Sequence, residues 1–279
     1  MSRRRLGQHF LSNPKILHRI IESARLEPDD LVVEIGPGPG RMTRLIAEKV
    51  RKLLAIELDE HLYDRLTNDL AAYGNIELIR GDALQYPYEG LPEFKVVANI
   101  PYYITTPVIF RLLEMRLKTS LQDIEKEGQT DAHELNKEIP RSGRNLKSMT
   151  LTIQKEVAER IVARPGGKDY GVLTIMVQYY AEPTLEFIVP KEAFRPVPKV
   201  DSAVIHCRVL ERPSVQVEDE SLFFRIIRTA FSQRRKMLSN SMKSVRDDAK
   251  EWLSRAGIDP DRRPETLSIE DFARLAGIS

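Results

Sequence analysis

The chain has 279 residues, 42% of them hydrophobic and 30% charged, which is enough for one large α/β domain plus a smaller one around a substantial core. No apolar run approaches the ~18 residues of a membrane span, and the start, Met1-Ser-Arg-Arg-Arg-Leu-Gly7, leads into no signal-peptide apolar region, so a cytoplasmic protein with no membrane partner is expected. Cys207 is the only cysteine, which excludes an intrachain disulfide and a cysteine metal cluster; the formal net charge of +2 is unevenly spread, with Arg225, Arg228, Arg234, Arg235, Lys236, Lys243 and Arg246 and no acid between Ser221 and Arg246.

Residues Ser2 to Asn13 read as a basic extended lead ending at Asn13-Pro14, an N-cap and first-turn pair. The helix from Pro14 to about Arg25 places Ile16, Leu17, Ile20 and Ile21 on one face. Leu31-Val-Val-Glu-Ile35 reads as a buried strand, followed by Gly36-Pro-Gly-Pro-Gly40 and a helix from Arg41 to about Val50. A second strand, Leu53 to Ile56, ends in Glu57-Leu-Asp59, and a helix carries Leu62, Leu66 and Leu70 up to Gly74. Ile76 to Ile79 is a third strand, ending in Arg80-Gly81-Asp82, and Val96 to Ala98 a fourth, ending at Asn99-Ile-Pro-Tyr102. Strands alternating with helices predict a doubly wound parallel sheet with helices on both faces, in which ligands sit beyond the carboxyl ends of the strands.

The stretch from Leu117 to Lys147, with balanced acids and bases, breaks this rhythm and reads as a charged excursion. A strand from Met149 to Gln154, a helix from Lys155 to Ala163, an apolar helix from Gly171 to Tyr180, a strand from Thr184 to Val189, a proline-rich loop from Lys191 to Lys199 and a strand from Ser202 to Leu210 follow. Pro213 to Glu220 reads as a linker; beyond it Leu222 to Met242, Arg246 to Ala256 and Ser268 to Ala276 are helical segments of a small α domain. The expected division is a ligand-binding domain over 1–212, with an insertion at about 117–147, and a helical domain over 213–279. The basic run in the latter calls for phosphates or is a solvated face.

The four strand ends carry the chemistry. The spacing Gly36-x-Gly38-x-Gly40 permits close backbone approach to a ligand, and Glu57, about twenty residues on, can take a ribose diol. This fits a dinucleotide as well as S-adenosylmethionine; the absence of Gly-x-Gly-x-x-Gly and the third acid, Asp82, able to accept an adenine amine, favour the latter. Asn99 stands where sheet pairing must stop, because Pro101 cannot donate to a ladder. Its side-chain oxygen and a neighbouring backbone carbonyl can accept both N–H bonds of an exocyclic base amine, whose lone pair is then freed from the ring for attack. Tyr102 can stack on that base, and Phe194, on the proline-rich loop, either plugs the core or closes a sandwich around a flipped base. His9, in Gly7-Gln-His-Phe-Leu11, is not selected by its residue type over a surface histidine.

Taken together, Gly7-Gln-His-Phe-Leu11, Val33-Glu-Ile-Gly-Pro-Gly38, Ile56-Glu-Leu-Asp59, Gly81-Asp-Ala83, Asn99-Ile-Pro-Tyr102, Gln154-Lys-Glu-Val-Ala-Glu-Arg160, Asp169-Tyr-Gly171, Ala193-Phe-Arg-Pro-Val-Pro-Lys-Val-Asp-Ser-Ala-Val204 and Ala230-Phe-Ser-Gln-Arg-Arg-Lys236 resemble the bacterial small-subunit rRNA adenine dimethyltransferases, the KsgA/RsmA family, over almost the whole chain. The resemblance implies a Rossmann-like class I methyltransferase, monomeric and without a metal. It implies S-adenosyl-L-methionine as methyl donor and N6,N6-dimethylation of two adjacent adenosines near the 3′ end of 16S rRNA, in the small (30S) subunit or its precursor, with a role in subunit biogenesis and RNA binding by the C-terminal helices. It places cofactor contacts at His9, Leu11, Gly36, Glu57, Asp82 and Asn99, and the catalytic, base-contacting set at Asn99, Tyr102 and Phe194. The family often carries Asn where this chain has His9, which leaves a backbone contact as the expectation there. The alternatives are a resistance-type dimethyltransferase of large-subunit RNA and a non-catalytic assembly or transcription factor on the same fold; a nicotinamide dehydrogenase is disfavoured by the lack of a proton-relay motif.

Overall fold

Runs of β-branched and small apolar residues with no polar alternation can be satisfied only in strands covered on both faces, and that is where they lie. The computed structural model describes residues 9–114 and 145–278; most of the lead before Phe10 and the charged stretch, apart from its last three residues, lie outside the described residues. In chain order the elements are β1 (Phe10–Leu11), α1 (Pro14–Ser23), β2 (Leu31–Ile35), α2 (Arg41–Ala47), β3 (Lys52–Glu57), α3 (Glu60–Asp69), β4 (Ile76–Arg80), β5 (Phe94–Asn99), α4 (Thr105–Glu114), β6 (Leu146–Gln154), α5 (Lys155–Ile161), α6 (Val172–Tyr180), β7 (Ala181–Val189), β8 (Phe194–Arg195), β9 (Ser202–Val209), α7 (Glu220–Ser232), α8 (Leu238–Ser241), α9 (Ala249–Arg255) and α10 (Ile269–Ala276).

Seven strands form one sheet in the order β4-β3-β2-β5-β6-β9-β7, and β1 pairs antiparallel with β8 in a separate two-stranded ribbon. The pairs from β4 through β6 are parallel, and β9 runs antiparallel to β6. Central β2 is buried along its whole length, whereas edge strand β4 is not. Asn13 caps α1 as its sequence predicts, its side chain accepting from the backbone of Lys15 and Ile16, and Leu17, Ile20 and Ile21 pack into the core with Val32, Leu53 and Val97.

Among the described residues two compact units emerge: 9–114, 145–158 and 182–209 form one, and 159–181 and 210–278 the other. The second unit reaches beyond the expected 213–279 segment, taking in residues 159–181, α6 among them, and 210–212. The reason is aromatic packing: Tyr179 lies 5.0 Å from the Phe223 ring and 5.3 Å from the Phe224 ring, and both Tyr179 and Tyr180 donate their hydroxyls to Glu220. The helix expected from Leu222 to Met242 stops at Ser232. Arg234 leaves the helix axis to bond the carbonyls of Lys168 and Tyr170, and the amides of Leu238 and Ser239 are taken by Arg262 and Pro260 carbonyls instead of by helical partners.

Candidate active site

The parallel registers are unshifted across the centre of the sheet, so strand ends come out level: Val33 opposes both Leu54 and Val96, and Ile56 opposes Ile79. Hydrogen bonding continues one residue beyond, with Gly36 N–H donating to the Ile56 carbonyl and Gly81 N–H to the Glu57 carbonyl, each at 3.0 Å. Above these ends opens a cleft with about 810 Å³ of empty space, open solvent included. Its lining brings together His9, Gly36, Glu57, Asp82, Asn99, Tyr102 and Phe194 from separate stretches of chain. Leu11 stands apart: it is buried in the core and borders a smaller adjoining cavity, which Gly36, Gly38 and Asn99 also line.

The glycine loop turns with positive φ at Gly36, Gly38 and Gly40. A Cβ on Gly38 would lie 2.9 Å from the Phe10 ring, so both the backbone conformation and the close approach demand glycine there. Glu57 is buried and its carboxylate ties the loop to the end of β3, accepting from Gly38 N–H at 3.2 Å and Asp59 N–H at 2.9 Å. Burial raises its pKa, while the two backbone donors oppose that shift. Each oxygen keeps a lone pair for a ligand hydroxyl. Asp82 accepts from Leu84 N–H, and Arg111 on α4 holds the loop that follows by bonding the Leu84 and Tyr86 carbonyls and the Glu89 carboxylate.

Asn99 ends β5 with its Nδ2 donating to the His9 backbone carbonyl at 3.1 Å. This contact of His9 is main-chain, and the Asn99 amide keeps its oxygen available to an incoming donor. The His9 ring is itself fixed, Nδ1–H donating to the Pro196 carbonyl at 2.7 Å, and its centroid lies 5.8 Å from that of Tyr102. Tyr102 is half-buried and shares a 2.9 Å hydrogen bond with the Ser202 hydroxyl. Phe194 fills the first of the two roles expected of it as alternatives, that of a core residue. It is 1% exposed and belongs to the core, opposite Leu11 in the β1–β8 ribbon, yet it also walls the cleft.

One residue escaped the sequence reading. Glu34 on β2 is fully buried, neither of its oxygens has a hydrogen-bond partner, and it borders the adjoining cavity. Burial pushes its pKa up to about 8, the nearby Thr43 hydroxyl counteracting and the Glu57 charge adding to the rise. Its signal was an acid inside a run buried on both faces. Among the described residues no cluster of His, Cys, Asp and Glu could hold a metal ion, and no helix is long and apolar enough to cross a membrane.

A largely parallel, helix-flanked sheet whose level strand ends carry a glycine turn, a buried acid and an amide defines a Rossmann-like class I methyltransferase. The structure resembles a dimethyladenosine transferase from Plasmodium falciparum, with 27% identity and a TM-score of 0.73 over 97% of this chain and 99% of that one. It also resembles the 23S rRNA methyltransferase ErmE, with 28% identity and a TM-score of 0.69 over 96% and 98% of the two chains. Two relatives described as ribosomal RNA small subunit methyltransferase A are similar over nearly full length. The one from Clostridium acetobutylicum is 44% identical over 98% of this chain and 92% of its own, and the one from Moorella thermoacetica 40% identical over 98% and 91%. The model of the ribosomal RNA adenine dimethylase family matches residues 1–278, and the chain belongs to that family.

Proposed function

We propose that this chain dimethylates N6 of two adjacent adenosines near the 3′ end of 16S rRNA, within the small ribosomal subunit or its precursor, and acts as a monomer in the cytoplasm. The observation that carries the chemistry is the Asn99 amide, pinned through Nδ2 to the His9 carbonyl at the mouth of the cleft. The names of the two relatives support the small-subunit substrate.

The cleft fits S-adenosylmethionine: glycine is required at Gly38, Glu57 is a buried carboxylate with spare lone pairs, and Ile35, Ile56 and Leu58 provide apolar walls next to Asp82. Glu57 would hold the ribose, Asp82 the adenine amine, and Gly36 and the backbone at His9 and Leu11 the remainder. When bound, the cofactor supplies an activated methyl group. The residues of the chain then orient the acceptor: Asn99 Oδ1 and a neighbouring carbonyl take the two amine hydrogens, drawing the nitrogen towards tetrahedral geometry, while Tyr102 and Phe194 hold the base face. No general base is needed, because the methylated nitrogen becomes acidic and loses its proton to water. Rotation of the monomethyl amine presents its remaining hydrogen to the same acceptors for the second round.

The test is incubation with labelled S-adenosylmethionine and unmodified small or large subunits, followed by nucleoside analysis. Dimethyladenosine from small subunits alone is expected; label confined to large subunits would transfer the reading to the resistance-type branch, and tight binding without label to an assembly factor. Asn99→Ala is expected to lower the rate by about a hundredfold or more; near-normal methylation with intact cofactor binding would remove Asn99 from the mechanism.

A further inference from the structure

Tyr102 opens a single 3-10 turn, Tyr102–Ile104, that follows β5. Its hydroxyl meets Ser202, which is fully buried at the first position of β9 and in register with Gln154 of β6. Strand β6 in turn pairs with β5, Asn99 opposite Thr152. The tyrosine hydroxyl and Asn99 are therefore referenced to the same three adjacent strands. Rotation of a tyrosine ring about its own axis leaves the hydroxyl in place, so a bond there fixes the direction of the side chain but not the tilt of its face. The tilt is limited by the His9 ring, at an interplanar angle of 32° and held by Pro196.

We infer that Ser202 is a positioning residue for methyl transfer: it anchors Tyr102 to the sheet so that a base lying on the ring presents its amine to Asn99. This rests on the proposed stacking role of Tyr102. A hydroxyl is needed at position 202 because a buried, hydrogen-bonded anchor holds an orientation that packing on a half-exposed ring does not. Ser202 does not line the cleft and touches no cofactor position, so its loss acts on the oriented complex.

The experiment is a double-mutant cycle with Ser202→Ala and Tyr102→Phe, read by single-turnover methylation of unmodified small subunits, KM for the subunit and equilibrium binding of S-adenosylmethionine. Each single variant should lower the methylation rate about ten- to hundredfold, with smaller changes in KM and unchanged cofactor affinity. The double variant should be no slower than the worse single one, because both remove one bond. Multiplying effects, or a Ser202→Ala rate equal to wild type, would overturn the inference. If Ser202→Ala does not fold, Ser202→Cys, close in shape but a weak donor, takes its place in the same cycle. Tyr102→Ala separates the two levels: wild-type methylation by that variant would remove the stacking role itself, whereas a loss there combined with multiplying effects in the cycle would remove only the anchor.

Discussion

Asn99, Glu57 and Glu34 are three polar residues on or beside buried strands, and each is treated differently by its surroundings. Asn99 spends its donor on a main-chain carbonyl and keeps its acceptor; Glu57 is held by two backbone donors; Glu34 has no hydrogen-bond partner. Burial penalises the charged form of the Glu34 carboxyl, which is why its pKa rises to about 8 from 4.5. The unfolded chain binds fewer protons than the folded one between these two values, so stability falls as pH climbs from about 4.5 to about 8 and levels off above. The effect is on the order of a few kcal/mol. Glu34→Gln, permanently neutral, should flatten that limb: melting temperatures from pH 5.5 to 8.5 should drop less than in wild type, and an unchanged slope would show that another group is responsible. These roles were legible to different degrees. Asn99 and Glu57 stand out because a polar residue ends an apolar run at a turn, whereas the environment of Glu34 depends on what α2 places above β2.

Between elements, the short β1–β8 ribbon links the N-terminal lead to the proline-rich loop through Leu11 and Phe194, and both side chains reach the core. Two-residue strands carry no periodicity, and the partners in the ribbon and in the His9–Pro196 bond are more than 180 residues apart, those in the Ser202–Tyr102 bond 100, so none of these could be read from local pattern. Phe194→Ala should cost about 3–5 kcal/mol of stability by leaving a cavity, besides lowering methylation. Phe194→Leu separates the roles: it should recover most of the melting temperature without the aromatic face, so a methylation rate still reduced severalfold supports base contact, while full activity would leave Phe194 a core residue only. The helix break after Ser232 is of the same kind. The basic run continues through it, and only carbonyls from residues 168, 170, 260 and 262 decide where the helix stops.

For the molecule as a whole, RNA affinity is expected from the second unit, where Arg225 and Arg228 project from one exposed face of α7 and Arg235 and Lys236 follow it in the open. Arg234 differs, since its guanidinium is used within the unit and its reversal would test folding as much as binding. Reversing Arg225, Arg228 and Arg235 to Glu should weaken binding to small subunits and lower the salt slope by about one for each phosphate that is no longer neutralised. An unchanged slope would show that this face does not meet the backbone. The alternation of strands and helices in the main sheet, the doubly wound class and the convergence of Gly36, Glu57, Asp82 and Asn99 were determined by the sequence alone. Strand identity follows from runs of apolar residues and strand ends from glycine, proline and charge, both of which are local. What only the tertiary structure decided is the second ring of contacts: the His9 carbonyl on Asn99, Ser202 under Tyr102, Glu34 without a partner, and α6 joined to the C-terminal helices. Those depend on which side chains meet across long separations, and such meetings are set by packing, which no single stretch of sequence encodes.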